Sequence, residues 1–175
     1  MAQPFELRAE RPGDSALAES LVERAFGPGR YAKAAERLRE GSRPILDLSF
    51  VAWRGEAAVG CVRMWPITIG ETPALLLGPF AVEATERSAG IGAALIAQAC
   101  LAAEAAGHAV VLLVGDLAYF GPLGFCQTKG VRMPGPVDPR RVLARALAAN
   151  ATDGLHGDVA AARPIGRQPL ALAAE

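Results

Sequence analysis

Hydrophobic and polar positions divide the chain into helical and extended segments, and the strongest pattern lies near its middle. Residues 74–82 form a nearly continuous apolar run, which is typical of a strand buried on both faces. A polar loop and the glycine-containing stretch 87–92 follow, and then a segment rich in alanine and leucine reaches about Ala106. Gly107 ends this predicted helix, and residues 110–114 return as a second buried strand. The order strand, glycine turn, helix, strand predicts a parallel crossover in an α/β fold with a mixed sheet.

The first half of the chain predicts further strands and two helices. Residues 5–9 alternate as a short strand does, and apolar residues three and four apart predict an amphipathic helix over 15–26. A second short helix is expected over 31–39. Residues 48–54 and 58–69 are predicted strands joined by a tight turn, and we expect them to pair in antiparallel order with the strand at 74–82.

Two prolines interrupt predicted strands. Trp65-Pro66 indicates a bulge or kink, because proline has no N–H to donate to a ladder. Gly78-Pro79 lies inside the long apolar strand, so pairing is expected to loosen midway and to leave backbone groups available to a ligand. An ordinary edge bulge explains these two residues equally well.

The pattern weakens after residue 125. Residues 126–133 are compatible with a strand, and residues 141–147 favour a helix by propensity, since alanine, leucine and arginine are good helix formers. From about residue 150 glycine and proline become frequent. We therefore expect one domain over residues 1–148 and an extended tail over 149–175.

Composition narrows the class of protein. The 175 residues carry 18 basic and 18 acidic side chains, so charge offers no case for binding nucleic acid or an anionic membrane. No run is long and apolar enough for a membrane span, and the N-terminus lacks the features of a secretory signal, so a cytoplasmic location is expected. The cysteines Cys61, Cys100 and Cys126 have no paired spacing. We therefore expect these cysteines to be small buried apolar residues that form neither disulfides nor a metal site.

The glycine turn is the candidate chemical feature. A turn that feeds a helix start presents unpaired N–H groups and the positive end of the helix dipole, which suits a phosphate. A P-loop is excluded because Gly92 is followed by Ala93 rather than by lysine and Ser/Thr. A dinucleotide fingerprint is excluded because Leu95 occupies the place of its third glycine.

The pattern Arg87-x-x-Gly90-x-Gly92 instead resembles the acyl-CoA signature of the Gcn5-related N-acetyltransferase (GNAT) superfamily, Gln/Arg-x-x-Gly-x-Gly/Ala. The strand at 76–82 and Gly124-Phe125 after the next strand strengthen the resemblance. Within the superfamily, the Leu-Gly-Pro strand and the segment 115–119 resemble the group of small bacterial acetyltransferases typified by YhbS.

The resemblance implies a sheet whose fourth and fifth strands splay apart, with the pantetheine arm of acetyl-CoA or another acyl-CoA in the gap. It implies that residues 141–147 are a final strand, against their helix propensity. By position, the backbone of Phe80 and Val82, with Ala81 between them, would bind pantetheine. The amides of the glycine turn would hold the pyrophosphate, namely those of Arg87, Ser88, Ala89, Gly90, Ile91 and Gly92.

Catalytic groups are less clearly marked. Superfamily members commonly carry a tyrosine that protonates the departing thiolate, four residues before the glycine of the Gly-Phe pair, and here that position is Phe120. Tyr119 is one residue earlier and is the candidate acid. Asp116, at the end of a strand, is the candidate base, although it is also well placed to cap the helix that follows. Glu83 is a weaker candidate, and deprotonation of the amine through water is the alternative to both.

Two functions remain open. The first is an N-acetyltransferase in which a primary amine attacks the thioester directly. The second is a non-catalytic acyl-CoA-binding module, favoured by Phe120 at the usual tyrosine position. The acceptor is expected between the two N-terminal helices and the sheet, near residues 27–30 and 65–71, and a homodimer stays open.

Overall fold

A computed structural model describes residues 4–27 and 34–162. Its helices and strands, in chain order, are β1 (Glu6–Ala9), α1 (Ser15–Phe26), α2 (Ala34–Arg37), β2 (Phe50–Arg54), β3 (Ala57–Ile69), β4 (Thr72–Val82), α3 (Ile91–Ala105), β5 (Val110–Val114), α4 (Leu117–Phe120), β6 (Cys126–Gln127), β7 (Gly130–Arg132), β8 (Val142–Ala146) and β9 (His156–Ala161).

These strands form one mixed sheet. Its order is β1-β2-β3-β4-β5-β8-β6, while β9 pairs with β3 and β7. β4 and β5 are parallel and are joined by α3, whereas β1 to β4 are antiparallel neighbours. The mixed sheet and the parallel crossover predicted from the apolar pattern are therefore confirmed.

Helices cover both faces of the sheet. α3 packs its buried side chains, among them Leu95 and Ile96, against one face. Gly60 of β3 allows this approach, because a Cβ there would lie 3.1 Å from the Leu95 side chain. On the opposite face, Leu21 and Val22 of α1 pack on β2, β3 and β4.

β4 contains a bulge in its pairing with β3. Val62 pairs with Phe80 and Met64 pairs with Leu77, so Gly78 and Pro79 together stand opposite one residue of β3. The indole Nε1 of Trp65 donates a buried hydrogen bond of 2.6 Å to the Gly78 carbonyl that this bulge displaces.

β4 and β5 stop pairing just before the bulge. They pair at Leu75 with Val111 and at Leu76 with Leu112, and then diverge. The loosening expected at Gly78-Pro79 and the splayed strands implied by the resemblance are both present.

The prediction of a bulge at Trp65-Pro66 is wrong. The β3–β4 register runs unbroken through Trp65 and Pro66. Proline is tolerated because its backbone faces the other edge of β3, where the carbonyl of Pro66 accepts a hydrogen bond from Ala162. Trp65 itself is buried.

The prediction of an extended tail over residues 149–175 is wrong in part. Residues 156–161 form β9, which pairs Ile67, Thr68 and Ile69 of β3. β2 pairs with β3 only as far as Val62, so the second half of β3 has an edge that β9 can satisfy. The boundary at residue 148 therefore cuts through the sheet, and residues 163–175 lie outside the described part of the chain.

Three further predictions concern the segments 31–39, 126–133 and 141–147. Residues 142–146 are strand β8, as the resemblance implies and against helix propensity, because pairing with β5 overrides it. Within the predicted helix 31–39, α2 spans Ala34–Arg37, and residues 31–33 lie outside the described part. The region 126–133 divides into β6 and β7.

Cys126 corrects the expectation that all three cysteines are buried. Cys61 and Cys100 are buried, but Cys126 is exposed, since β6 is a two-residue edge strand. Burial raises the pKa of the Cys61 thiol to about 12.

A buried ion pair joins α1 to the sheet beside the bulge. The Arg63 guanidinium donates to both carboxylate oxygens of Glu10, at 2.6 and 2.9 Å, and to Glu19 and the Ser15 carbonyl. The side chains of Arg63 and Glu10 are 7% and 0% exposed. Arg63 is the β3 residue that faces the Gly78-Pro79 bulge, so this pair ties the start of α1 to the place where β4 bends.

Among the described residues, no helix is both long and apolar enough to cross a membrane.

The Arg63 pair yields a stability prediction. Arg63→Met leaves the Glu10 carboxylate buried without its partner, and we expect a loss of about 3–5 kcal/mol in the free energy of unfolding. Arg8→Met is the matched control, because Arg8 pairs with Glu6 on the surface, where loss costs about 0–1 kcal/mol. Urea unfolding of the two variants measures both, and similar shifts of the midpoint would contradict the role given to Arg63.

The cysteines yield a second prediction. At pH 8 the folded protein is expected to react rapidly with Ellman's reagent at Cys126, because it is exposed, while Cys61 stays protonated and buried. The denatured protein should release all three thiols. Cys126→Ser should remove the rapid phase, and a rapid phase that persists in this variant would show that the core thiols are accessible.

Candidate functional site

A cleft of about 1060 Å³ opens where β4 and β5 part. Its wall contains residues from the parted strands, the glycine turn, α1, α2 and α4. Most of the residues proposed from the sequence for binding or catalysis line it, namely Phe80, Ala81, Val82, Arg87, Ser88, Gly90, Ile91, Gly92, Asp116 and Tyr119, whereas Ala89 and Glu83 do not. Sequence positions 80 to 119 thus meet around one cavity.

The backbone of β4 presents polar groups to this cleft. The N–H of Glu83 donates to Val59 on β3 at 2.9 Å. Backbone groups alternate between the two edges of a strand, so Ala81 also faces β3, while Phe80 and Val82 face the gap toward β5. This is the orientation expected for Phe80 and Val82, whereas Ala81 is paired with Cys61 and does not offer its N–H to the cleft.

The glycine turn delivers amides to one end of the cleft. Ser88 and Gly90 adopt left-handed conformations, with φ of 73° and 76°, and Gly90 is the N-cap of α3. By helix geometry, the N–H groups of Ile91, Gly92 and Ala93 have no acceptor inside α3, and the helix dipole favours an anion there by about 0.3–1 kcal/mol.

Ala89 differs from its neighbours in the turn. Its N–H is directed to the Glu86 carbonyl at 3.4 Å, so it closes the turn rather than facing the cleft.

Two ion pairs hold the loop that carries the turn. Glu86 accepts from Nε and Nη2 of Arg54 on β2, at 3.0 and 2.7 Å, and both side chains are mostly buried. Glu83 accepts from Nε of Arg24 on α1 at 3.0 Å. Glu83, a weaker candidate base, is therefore engaged by Arg24, and the first half of the loop is attached to α1 and β2.

Position 92 requires glycine, because the aromatic rings of Tyr119 and Phe80 pack directly against its backbone. A Cβ at Gly92 would lie 2.5 Å from the Tyr119 hydroxyl and 2.9 Å from Cζ of Phe80. The side of Gly92 on which a Cβ would stand is thus occupied by these two rings, while Gly90 has no atom within 4 Å of its Cβ position.

Tyr119 stands in a cluster of aromatic rings. Its ring centroid lies 6.2 Å from that of Phe80 and 4.9 Å from that of Phe120, and Phe120 in turn packs against Phe125 and covers Gly115. Burial raises the pKa of the Tyr119 hydroxyl. Phe120 therefore serves packing, and Tyr119 brings a protonated hydroxyl to the start of α3.

Asp116 does not cap α4, contrary to expectation. No side-chain hydrogen bond from Asp116 reaches the helix, and Tyr119 and Phe120 donate instead to its backbone carbonyl. Its carboxylate is 76% exposed and lies 3.5 Å from Nε of Arg141. The main-chain carbonyl satisfies the helix start, so the side chain turns outward to the arginine that precedes β8.

The acceptor side of the cleft differs from the expected one in part. The α1 and α2 walls are present, as expected, and residues 28–30 lie outside the described part of the chain. The stretch 65–71 does not line the cleft. Pro136, Val137 and Asp138 do so instead, because Arg37 of α2 donates to the Pro134 carbonyl at 3.2 Å and draws this loop across. No local sequence signal marks the 134–138 loop, since its place depends on a contact 97 residues away along the chain.

A comparison with protein-family models decides the family. The model of the acetyltransferase (GNAT) family matches residues 15–120, which include the glycine turn, the parted strands and α4. The chain belongs to the GNAT family. A comparison with curated protein sequences gave no match.

Solved structures of GNAT proteins are similar to this chain over nearly its whole length. YhbS from Escherichia coli, in complex with CoA, is 26% identical with a TM-score of 0.76, over 93% of this chain and 92% of that one. A GNAT acetyltransferase from Brucella melitensis, in complex with acetyl-CoA, is 27% identical with a TM-score of 0.70, over 91% and 97%. The Escherichia coli ribosomal-protein-S18-alanine N-acetyltransferase shares the fold, with 17% identity and a TM-score of 0.57 over 83% and 95%.

These comparisons confirm the family resemblance, the YhbS type and the fold inferred from the sequence. They also agree with the expected acyl-CoA cofactor, since two of the similar proteins were crystallised with CoA or acetyl-CoA. The roles of individual residues in this chain stay predictions.

Proposed function

We propose that this GNAT protein is an acetyl-CoA-dependent N-acetyltransferase that moves an acetyl group to a primary amine. The observation that carries the proposal is one continuous cleft. It contains the amides of a glycine turn at one end and the outward-facing backbone of parted strands along its length. Family membership and the CoA and acetyl-CoA complexes of similar proteins support the same donor.

The residues of the cleft fit such a donor. Amides of Ile91 and Gly92 bind the pyrophosphate at the start of α3, with the exposed Arg87 adding charge. The gap-facing groups of Phe80 and Val82 bind the amides of pantetheine in place of the lost β5 ladder. Acetyl-CoA supplies the acetyl group as a thioester.

The reaction requires a proton for the departing thiolate and loss of a proton from the attacking amine. Tyr119 holds the proton for the departing thiolate, because its pKa is raised and its hydroxyl lies beside Gly92. The N–H of Phe80 faces the gap and stabilises negative charge that develops on the carbonyl oxygen. The amine loses its proton through water, with Asp116 at the rim as the receiving carboxylate.

A non-catalytic acyl-CoA-binding module is the second candidate. Phe120 favours it, because this ring packs at the position where superfamily members commonly place their acid. The two functions share the donor site and differ in whether Tyr119 acts on a proton. The cytoplasmic location and the oligomeric state stay predictions.

Donor binding is tested by thermal stability. Acetyl-CoA at about 100 times its Kd should stabilise the folded state by about 2.7 kcal/mol, which raises Tm by roughly 5–10 °C for a chain of this size. Gly92→Trp should abolish the shift, because its side chain has to displace the Tyr119 and Phe80 rings at this end of the cleft. Arg87→Glu should reduce the shift without disturbing the core, and Arg43→Glu, an exposed arginine that does not line the cleft, should keep it. A full shift in both cleft variants would contradict the donor site.

Tyr119 is tested by kinetics. Tyr119→Phe should lower kcat by about 100-fold with little change in KM for acetyl-CoA, since the hydroxyl acts on the leaving group. Because the tyrosine pKa is raised above its ordinary value near 10, wild-type kcat should not fall through loss of this proton up to about pH 10. Turnover that is unchanged in Tyr119→Phe would remove Tyr119 as the acid. A donor that binds without transfer to any amine would favour the binding module.

A further inference from the structure

A carboxylate stands at the glycine-turn end of the cleft, where an anionic donor would meet it. Glu86 lines the cleft together with Arg87, Ser88 and Gly90 of the turn. The pyrophosphate of the proposed donor is an anion, and like charges brought together at a binding site repel each other. Glu86 therefore needs a compensating positive charge if this end of the cleft is to bind phosphate.

Main-chain hydrogen bonds fix the position of Glu86 close to the turn. Its N–H donates to the Glu83 carbonyl at 2.9 Å, and its own carbonyl accepts from the N–H of Ala89 at 3.4 Å. Only residues 87–89 separate it from Gly90, the N-cap of α3. The backbone of Glu86 is thus part of the same folded loop as the turn, and its carboxylate stays near the start of the helix.

Arg54 supplies the compensating charge from outside the cleft. It is the last residue of β2 and does not itself line the cleft. Its Nε and Nη2 donate to the two carboxylate oxygens of Glu86 at 3.0 and 2.7 Å, and this two-bond geometry is a strong one between arginine and a carboxylate. The side chains of Arg54 and Glu86 are only 17% and 20% exposed, so salt screens this pair less than it screens a surface pair.

The other ion pair of this loop occupies a different position. Glu83 does not line the cleft, and the side chains of Arg24 and Glu83 are 54% and 30% exposed. This pair attaches the loop to α1 and places no charge in the cleft. Comparison of the two pairs therefore separates attachment of the loop from neutralisation of the cleft.

We propose that Arg54 is a positioning residue for the donor, which holds and neutralises Glu86 so that the glycine turn binds the pyrophosphate of an acyl-CoA. Arg54 acts through Glu86 and does not contact the donor. The inference rests on the proposed function and adds to it a residue that lies outside the predicted site. Direct contact between Arg54 and the phosphates, and a purely structural role in the loop, are the two alternatives, and each gives a different pattern of affinities.

A cycle of three variants tests this charge balance. The Kd of CoA is measured by isothermal titration calorimetry for the unmodified protein, Arg54→Met, Glu86→Gln and the double variant. Arg54→Met leaves a negative charge beside the turn, so Kd should rise about tenfold or more. Glu86→Gln leaves a positive charge, so Kd should be unchanged or lower. The double variant is neutral again, and its Kd should return to within about threefold of the unmodified value.

Ionic strength and a matched variant give two further readouts. The ratio of the Arg54→Met Kd to the unmodified Kd should fall about threefold or more between about 0.05 and 0.5 M NaCl, because salt screens the repulsion. Arg24→Met is the matched control, since it removes the other ion pair of the same loop. It should raise the Kd of CoA by no more than about twofold at either salt concentration, because its carboxylate partner is outside the cleft and more exposed.

The measured affinities distinguish the inference from both alternatives. A double variant as weak as Arg54→Met would show that Arg54 contacts the phosphates itself and would overturn the inference. Weaker binding by Glu86→Gln, or an equal loss in Arg24→Met, would assign Arg54 a purely structural role and overturn it too, and both variants can be measured even if Arg54→Met does not fold. These outcomes leave the proposed function standing, whereas no binding of CoA to the unmodified protein would remove the donor site and that function with it.

Discussion

Gly78 and Pro79 stand opposite one residue of β3, and this bulge turns β4 away from β5. Two neighbouring parallel strands would normally satisfy each other's backbone groups along their whole length. Here they pair at Leu75 and Leu76 and then part. An unpartnered peptide group away from water costs about 1–3 kcal/mol, so the gap favours a ligand that carries amides of its own. In the proposed function, donor binding along β4 therefore depends on an interruption of the sheet and not on additional side chains.

Such an interruption needs support from outside the strand. Trp65 donates its indole N–H to the carbonyl of Gly78, so the displaced group has a buried partner. Arg63, on the β3 residue that faces the bulge, is paired with the fully buried Glu10. A buried pair is costly to break, and this one joins the bend in β4 to the start of α1. The gap is thus held open by the same contacts that assemble the N-terminal half.

The glycine-turn end of the cleft combines the proposed anion site with the proposed proton donor. The start of α3 supplies unpaired amides and a dipole, and Arg54 holds Glu86 so that the preceding loop cannot move away. Tyr119 reaches the same helix start from α4, and glycine at position 92 admits its hydroxyl. Phe120 takes the packing role in that aromatic cluster, which explains how the tyrosine can stand one residue away from the position common in the family.

The sequence by itself determined the strand–turn–helix–strand unit and the family, and it marked Gly78-Pro79 as a place where pairing of the strand could loosen. These features can be predicted from short stretches of sequence. Apolar runs indicate buried strands, and the glycines at positions 90 and 92 indicate a helix start with close backbone contacts. Strand β8 needed the family resemblance, because propensity favoured a helix and only pairing with β5 overrides it.

The tertiary structure decided what depends on partners distant in sequence. β9 became a strand because β2 leaves half of β3 unpaired. Glu86 meets Arg54 across 32 residues, and Glu83 meets Arg24 across 59. Asp116 turned to an arginine instead of capping its helix because a main-chain carbonyl already served the helix start. The periodicity of apolar residues indicates which face of a helix or strand is buried. Which side chains contact each other across long sequence separations is determined only by the tertiary fold.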